Sequence, residues 1–539
     1  MPNYPVRNLG GTGIVSDLHP YDLPPNAFSA GVNVRFENGA VTRGPVMRRV
    51  HEFNDTNFNP TYVFPIPNGD TESLVSIGDD YGSVISVTGD TEVDITPAGI
   101  SPSITTKPFV HTFLGNVAYI NRVSHIPYML RPGDSIFQPL EAWDSSWRCG
   151  SLRAYKDVLV ALNVTKGGAS YPSMVKWSDF AMFGNPPATW DSTATTNSSG
   201  ENILNQMRGP IIDGCALRES FYIYGENEVW AMNYVGGTFM FDFRKRFDNR
   251  GILNHNCVLE IDGLHYVFDK TDIYVHDGVQ PRSIVHGRNK DFIFTSLVKD
   301  LSHLAFVTFD PNLNEVAFCY VSQDRLVGFL GATTGCNRAA VYNINRDTWT
   351  FYDLPNVTSA TFSKLSYGLS YADAAVSYAE MGGSYLGDGD ENSRSSIYVG
   401  RKDTALGLTK PRIYGSDLLS GGKLAKPIET ETIKDAFVER TMIDLDETGA
   451  PLTAYKSMLR IYPQVAVRGG SSVKFQFGAN DVLGVEPQWG LLQSFDPATD
   501  HKIDVRNAGR YLAYRFTQSG LSDFSLTGFD ASLTLRGRR

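Results

Sequence analysis

CALRESFYIYGENEVWAMNYV, Cys215 to Val235, and CVLEIDGLHYVFDKTDIYVHDG, Cys257 to Gly278, are the stretches whose reading decides the fold. Each joins short apolar runs rich in Phe, Tyr, Val and Ile through tight polar turns. Aromatic and β-branched side chains fit a pleated, half-buried surface, and the intervening Arg-Glu, Gly-Glu-Asn and Asp-Gly steps are turn chemistry. Both stretches therefore read as antiparallel meanders. The theme returns in TYVFPIPNGDTESLVSIG from Thr61, FVHTFLGNVAYINR from Phe109, LRAYKDVLVALNV from Leu152, LAFVTFDPNLNEVAFCYV from Leu304 and AAVYNINRDTWTFYDLP from Ala339. New units open roughly every 40 to 60 residues between residues 60 and 400. A four-stranded propeller blade consumes about that much chain, roughly 40 to 45 residues in regular repeats. The expected class is all-β: an irregular β-propeller over residues 61–414, its degenerate repeat leaving the blade count open.

Outward from this core the character changes. After GSDLLSGGKLAKP, Gly415 to Pro427, strands such as SVKFQFGA, GRYLAYRFTQ and FSLTGFDASLTLRG alternate apolar and polar residues, the mark of a sheet with one wet face. Residues 415–539 are expected to form an added β-sandwich or platform domain ending in basic Arg536, Arg538 and Arg539. Residues 1–60 read as an N-terminal strap with one hairpin, Val32 to Arg43, whose Asn38-Gly39 pair suits a type I′ turn. The Pro-rich Tyr21–Asn26 stretch reads as extended. Two insertions, Gly184–Asn202 and Gly382–Ser396, read as exposed loops.

Composition agrees with a large folded protein. The 539 residues are 42% hydrophobic and 12% aromatic, enough to bury a core without disulfides or metals. The five cysteines are scattered, with no C-x-x-C pair, which points to free thiols made in a reducing cytoplasm. A net charge of -10 argues against a protein built to grip a nucleic-acid backbone. The N-terminus lacks a signal-peptide pattern, and no apolar run approaches the roughly 18 residues needed to span a bilayer, so no membrane anchor is expected.

Catalytic motifs are missing where they would be sought. Gly11, Gly13 and Ser16 imitate a dinucleotide fingerprint, but Pro20, Pro24 and Pro25 forbid the helix that must follow. Asp388, Asp390 and Asn392 imitate the start of a calcium loop, with Ser393 and Val399 standing where Gly and Glu belong, so a solvated acidic loop is the reading. His255, His265, His276 and His286 recur about every ten residues and could bring two ligands together on adjacent strands; turn and strand-edge histidines are the plainer reading. Glu226 and Glu228, in the turn before Trp230, fit the surface pattern of a hairpin and are not read as a glycosidase pair. Asn345–Trp349 departs from the sialidase Asp-box, with Arg346 and Ile344 at its Gly and Asp positions. No catalytic, cofactor or metal residue is assigned, and the protein is not expected to be an enzyme. The run Phe241–Phe247 interleaves aromatics with Arg244, Lys245 and Arg246; with Arg536, Arg538 and Arg539 these are the candidate subunit or DNA contacts.

With those residues in view, the chain resembles the nozzle proteins of short-tailed bacteriophages, the group that includes tail tubular protein B and the packaged-DNA stabilisation protein. The resemblance covers most of the chain. It rests on N-L-G-G from Asn8, D-L-P-P-N from Asp22, N-V-R-F-E-N-G from Asn33, Y-G-E-N-E-V-W from Tyr224, D-G-L-H-Y-V-F from Asp262, D-I-Y-V-H-D-G from Asp272 and the C-terminal R-Y-L-A-Y-R-F and L-T-G-F-D. These are patterns, not catalytic motifs. The resemblance implies a virion tail protein, assembled in the bacterial cytoplasm as a homohexameric conduit for DNA retention and ejection. Its implied partners are the head-to-tail adaptor ring, tail fibre or spike and tip proteins, and double-stranded DNA passing without sequence specificity. No cofactor is implied. An acidic wall would repel phosphates and let the duplex slide. The strap, the long loops and the basic C-terminus are expected to dock on neighbouring copies. The alternatives are a host-surface carbohydrate-binding tail protein or a propeller glycan hydrolase.

Overall fold

A computed structural model describes the chain except residues 1–2, 69–70, 80–81, 89–90, 101–106, 238–239, 326–334, 365–393, 403–408, 418–434, 446–453, 469–471, 520–522 and 537–539. The fold is all-β, an irregular propeller with an added sandwich. Among the described residues, consecutive four-stranded antiparallel meanders span Pro60–Asp94, Val110–Pro139, Arg148–Ile203, Ile211–Asp248 and Pro281–Ser283 with the three strands from Val258 before it; these are blades 1 to 5. Blade 6 holds Phe306–Asp310, Glu315–Tyr320, Cys336–Asn343 and the first half of the long strand Thr348–Lys364. From Val357 that strand changes partner and becomes the innermost strand of blade 7, followed by Arg394–Gly400 and Arg412–Asp417.

The last strand of blade 7 comes from the other end of the chain. Val46–Glu52 pairs antiparallel with Arg412–Asp417, so the N-terminal segment closes the ring before the chain enters blade 1. Val50, Ile397, Val399 and Ile413 of blade 7 pack on Val63, Leu74 and Ile85 of blade 1 in one buried cluster. Comparable apolar layers lie between blades 1 and 2, 2 and 3, 3 and 4, and 6 and 7. Each is formed by side chains that alternate along the strands, the period-2 pattern that made the hairpins visible in sequence.

The sandwich is two six-stranded sheets. One runs Ile503–Gly509, Tyr455–Arg468, Asp523–Arg536, Ala40–Arg43 and Val34–Glu37, with Asn3–Arg7 added on Asp523–Arg536; the other is centred on Val473–Asn480 and Tyr511–Gln518. Phe475, Phe516, Phe524 and Leu526 fill the space between them, and the same buried cluster continues through Phe28 and Trp349 into blades 4 to 6. The two bodies share one core.

The N-terminal 60 residues are therefore not a separate strap. Tyr4 and Val6 are buried against Asp523–Arg536, and Ala30–Val32 pairs with the Ala436–Ile443 strand. Arg35 forms a buried ion pair with Glu315 of blade 6 at 2.7 Å, and Tyr352 donates to the same carboxylate at 2.9 Å. Asn38 and Gly39 both take positive φ in the hairpin that the sequence predicts. Tyr21–Asn26 is not extended throughout: Pro20–Asp22 makes a short 3-10 turn, Leu23 is buried, and Arg440 donates to its carbonyl at 2.7 Å. Leu23 is thus covered within the chain, whereas Pro24 and Pro25 of the same segment stay exposed. The Gly184–Asn202 insertion is likewise anchored, by buried Trp190 set edge-on against Trp143 at 4.7 Å, and its end enters the outer strand of blade 3, Gly200–Ile203.

Candidate functional site: the central cavity

The innermost strands of all seven blades surround one cavity of about 730 Å³. Arg153 reaches from the first strand of blade 3 to Asp213 on the first strand of blade 4, donating through Nε to Oδ1 at 2.8 Å and through Nη2 to Oδ2 at 2.5 Å. Its Nη1 donates to the His111 carbonyl of blade 2 at 3.0 Å, and its Nη2 to Asn256 Oδ1, before blade 5, at 3.0 Å. Asp213 also accepts from Ser151 Oγ at 2.6 Å and from the backbone amides of Gly214 and Asn256. One guanidinium thus ties four consecutive blades together. Gly214 has no side chain because the Phe221 ring lies where a Cβ would stand.

Burial alone would raise the Asp213 pKa, but the Arg153 charge and hydrogen bonds outweigh it and hold the carboxyl below its ordinary range. Nearby, burial and then the Arg153 charge lower His111 to about 3, and the Tyr62 hydroxyl is hydrogen-bonded to its Nδ1 at 2.7 Å. Both oxygens of Asp213 are saturated with donors, which suits a structural clasp better than a proton carrier. The two carboxylates that line the cavity are also engaged: Asp79 with Arg401 at 2.6 Å, and Glu260 accepting from the Gly263 amide at 2.8 Å.

His265 and His276 do meet, as facing residues on adjacent strands of blade 5. Tyr224 of blade 4 lies between them, 2.7 Å from His265 Nδ1 and 2.6 Å from His276 Nε2. His276 Nδ1 accepts from the Gly278 amide and His265 Nε2 donates to the Ala216 carbonyl, which fixes both tautomers. The chain of donors runs His276 Nε2–H to Tyr224, Tyr224 O–H to His265, His265 to Ala216. Every ring nitrogen is used, and burial lowers both rings, to about 4 for His265 and about 3 for His276. His255 and His286 do not join them. Among the described residues no group of three His, Cys, Asp or Glu is placed to hold a metal ion.

Arg244, Lys245 and Arg246 lie on the outermost strand of blade 4, Phe241–Asp248. Arg244 pairs with Asp242 at 2.6 Å, and Lys245 pairs with Asp248 and with buried Glu228. Glu228, read as part of a hairpin surface, is instead an interior carboxylate that also accepts from Arg208 and Trp230. Arg536 ends the Asp523–Arg536 strand; Arg538, Arg539 and the Asp388 loop lie outside the described residues. All five cysteines are free thiols. No helix of the described residues is long and apolar enough to cross a membrane. Sequence reasoning passed over the Arg153–Asp213 clasp. Its one signal was an aspartate set among Ile211, Ile212 and Cys215 in an otherwise apolar strand.

No family model matches the sequence, and no curated protein matches it. Among solved structures, Saccharomyces cerevisiae Sqt1 aligns over 69% of this chain and 100% of its own, at 8% identity and a TM-score of 0.40, a likeness that bears on neither fold nor function.

Proposed function

We propose that the chain is a structural subunit of a short phage tail, a nozzle protein of which six copies form a conduit for DNA retention and ejection below the portal and its adaptor ring. The proposal takes its identity from the sequence resemblance described above. The observation that carries it is a set of exposed apolar residues gathered on one face of the propeller. Phe113, Met182, Phe183, Tyr234, Val235 and Val279 all stand at the turns that end the first or third strands of blades 2 to 5. Met182 and Phe183 are each 79% exposed and Val279 is 74% exposed. The set is linked: the Gly184 amide bonds the Gly115 carbonyl, Ala181 bonds Asp157, and Lys156 lies 5.2 Å over the Tyr234 ring.

A soluble monomer gains nothing from such a surface, whereas a partner covers it. Val482, Leu483, Val485, Leu491 and Leu492 form a second exposed apolar group on the sandwich. Two different patches on one chain suit the head-to-tail contact of a closed ring, which joins unlike surfaces, better than a two-fold dimer. The structural use of Asp213, Asp79 and Glu260 weighs against the glycan-hydrolase alternative. Electron microscopy of the assembled tail tests the reading: six copies around the DNA path is the expected result, and three or five copies, or a lumen lined mainly by Lys and Arg, would overturn it.

A further inference from the structure

Beyond the Arg153 clasp, the wall of the central cavity carries hydroxyls that bond nothing in the protein. Thr308 on the innermost strand of blade 6 is 5% exposed and Ser359 on that of blade 7 is 4% exposed; both line the cavity, and neither hydroxyl has a protein partner. Thr361, two residues further along the same strand, is a third. Their neighbours are occupied: Thr358 Oγ1 donates to the Pro60 carbonyl at 3.1 Å, and Thr112 Oγ1 accepts from the Ala154 amide at 2.9 Å. Two imidazoles add to the open positions. His303 donates through Nδ1 to the Asp300 carbonyl at 3.2 Å, which leaves Nε2 as an acceptor, and His111 has Nδ1 2.7 Å from the Tyr62 hydroxyl and no partner at Nε2. Burial lowers both rings, so each is uncharged at neutral pH.

The charged groups of the same wall are already answered. Arg153 faces Asp213, Arg401 faces Asp79, and Glu260 accepts from the Gly263 amide. Among the described residues, the polar positions of the wall left open are therefore neutral. Phe309 and Phe362, both half-buried, follow Thr308 and Thr361 directly along their strands and bring aromatic faces to the same cavity. An apolar occupant would strip water from the hydroxyls and leave them unpaired. An ion would give up its hydration for counter-charges that already hold partners. A sugar brings hydroxyls that both donate and accept, and an apolar face of C–H groups for the phenyl rings.

We infer that the central cavity binds a small neutral saccharide of one or two rings, held by the hydroxyls of Thr308, Ser359 and Thr361 with Phe309 and Phe362 against its faces. A volume of about 730 Å³ is that of a small-molecule site. Exposed Lys107, ahead of the innermost strand of blade 2, and exposed Glu260, near the end of that of blade 5, bring the wall to the surface at both ends. The site lies inside one chain, so it stands or falls separately from the tail assembly.

Calorimetric titration of the full chain with lactose, maltose and N-acetylglucosamine tests it, with glucuronate as the charged probe. One neutral sugar per chain is expected to bind saturably. Thr308→Val, which keeps the branched shape and removes only the hydroxyl, and Ser359→Ala should each weaken binding about three- to tenfold, the scale of one lost hydrogen bond between neutral groups. In the unmutated chain labelled at threonine methyls, Thr308 and Thr361 should shift on saturation while Thr12, outside the cavity, stays in place. Fragments of bacterial surface polysaccharide distinguish the two sources of such a ligand: binding of fragments and sugars alike marks a glycan end, binding of sugars alone a free saccharide. Absence of saturable binding by all three neutral sugars, tighter binding of glucuronate, natural affinity in both variants, or unmoved Thr308 and Thr361 methyls would each overturn the assignment.

Discussion

Replacing Arg153 by Leu would leave the Asp213 carboxylate, which has no exposed side-chain surface, without its counterion. Removing one partner of a buried pair costs about 3–5 kcal/mol, because the remaining charge stays desolvated. Arg153 retains 18% exposure, toward the cavity, so water screens part of the interaction and the loss belongs at the lower end, about 3 kcal/mol near pH 7.5. The sign with pH follows from the two states of Asp213. In the natural chain its folded pKa is lowered, so its contribution is fully present above the unfolded value near 3.9 and is lost only as pH falls through the folded value. In the variant the Arg153 charge no longer opposes burial and the Ser151, Gly214 and Asn256 donors oppose it only in part, so the carboxyl rises, the folded state takes up a proton sooner and the deficit shrinks on acidification. Urea unfolding followed by tryptophan fluorescence reports this region well, since Trp143, Trp147, Trp177, Trp190 and Trp230 lie in or beside blades 2 to 4. The difference between variant and natural chain should be smaller at pH 5 than at pH 7.5, and Arg153→Leu with Asp213→Asn should recover most of it. Natural stability in the single variant, or a deficit independent of pH, would refute the clasp.

Tyr224→Phe should destabilise the chain by about 1–3 kcal/mol, since it strands His276 Nε2–H and His265 Nδ1 in the interior; hydrogen exchange at blade 5 amides would register the loosening. His265 and His276 both have lowered folded pKa values, so the unfolded chain binds their protons first and stability should fall as pH drops from about 6.5 toward 4. A flat urea midpoint across that window would contradict the buried neutral rings. Val50→Asp, which places a charge in the layer that closes blade 7 on blade 1, should cost about 3 kcal/mol or more, whereas Val93→Asp on the exposed outer strand of blade 1 should stay within about 0.5 kcal/mol. Incubation with bacterial surface polysaccharide should release no reducing sugar; release that is lost in Glu260→Gln or Asp79→Asn would reinstate the hydrolase reading.

The hairpins were legible because local chemistry makes them: alternating aromatics and β-branched residues on either side of Asp262-Gly263, or the Asn38-Gly39 turn. What escaped depends on partners far apart in sequence. Nothing in Val46–Glu52 announces that it completes a blade whose other strands lie more than 300 residues away, and the break of Thr348–Lys364 between two sheets is invisible in a continuous strand pattern. Tyr21–Asn26 looked extended because prolines resist helix, but a 3-10 turn accepts Pro20 at its start and the partner that buries Leu23 comes from the sandwich. The histidine spacing offered four candidates and singled out no pair; strand register brings His265 and His276 together, and Tyr224 decides what they do.

The cavity also constrains the proposed conduit. A ligand-sized space inside one propeller cannot pass a duplex, so any DNA path must run between copies and be walled by their outer surfaces. Among the described residues, Arg153 is the one cation of the cavity wall held inward by a buried carboxylate, Asp213, which neutralises it there. The chain as a whole carries a net charge of -10. A wall of that sign repels phosphates, lowers friction along the path and makes DNA retention depend on steric closure. The exposed Arg244 bears on the same point, since its carboxylate partner Asp242 reduces its pull on a passing backbone. Charge reversal of Asp242 to Lys should therefore slow DNA ejection from assembled particles in low salt and leave it unchanged in high salt, where a screened surface charge has little reach. An equal effect in both salts would mean that the strand acts through contact between subunits instead.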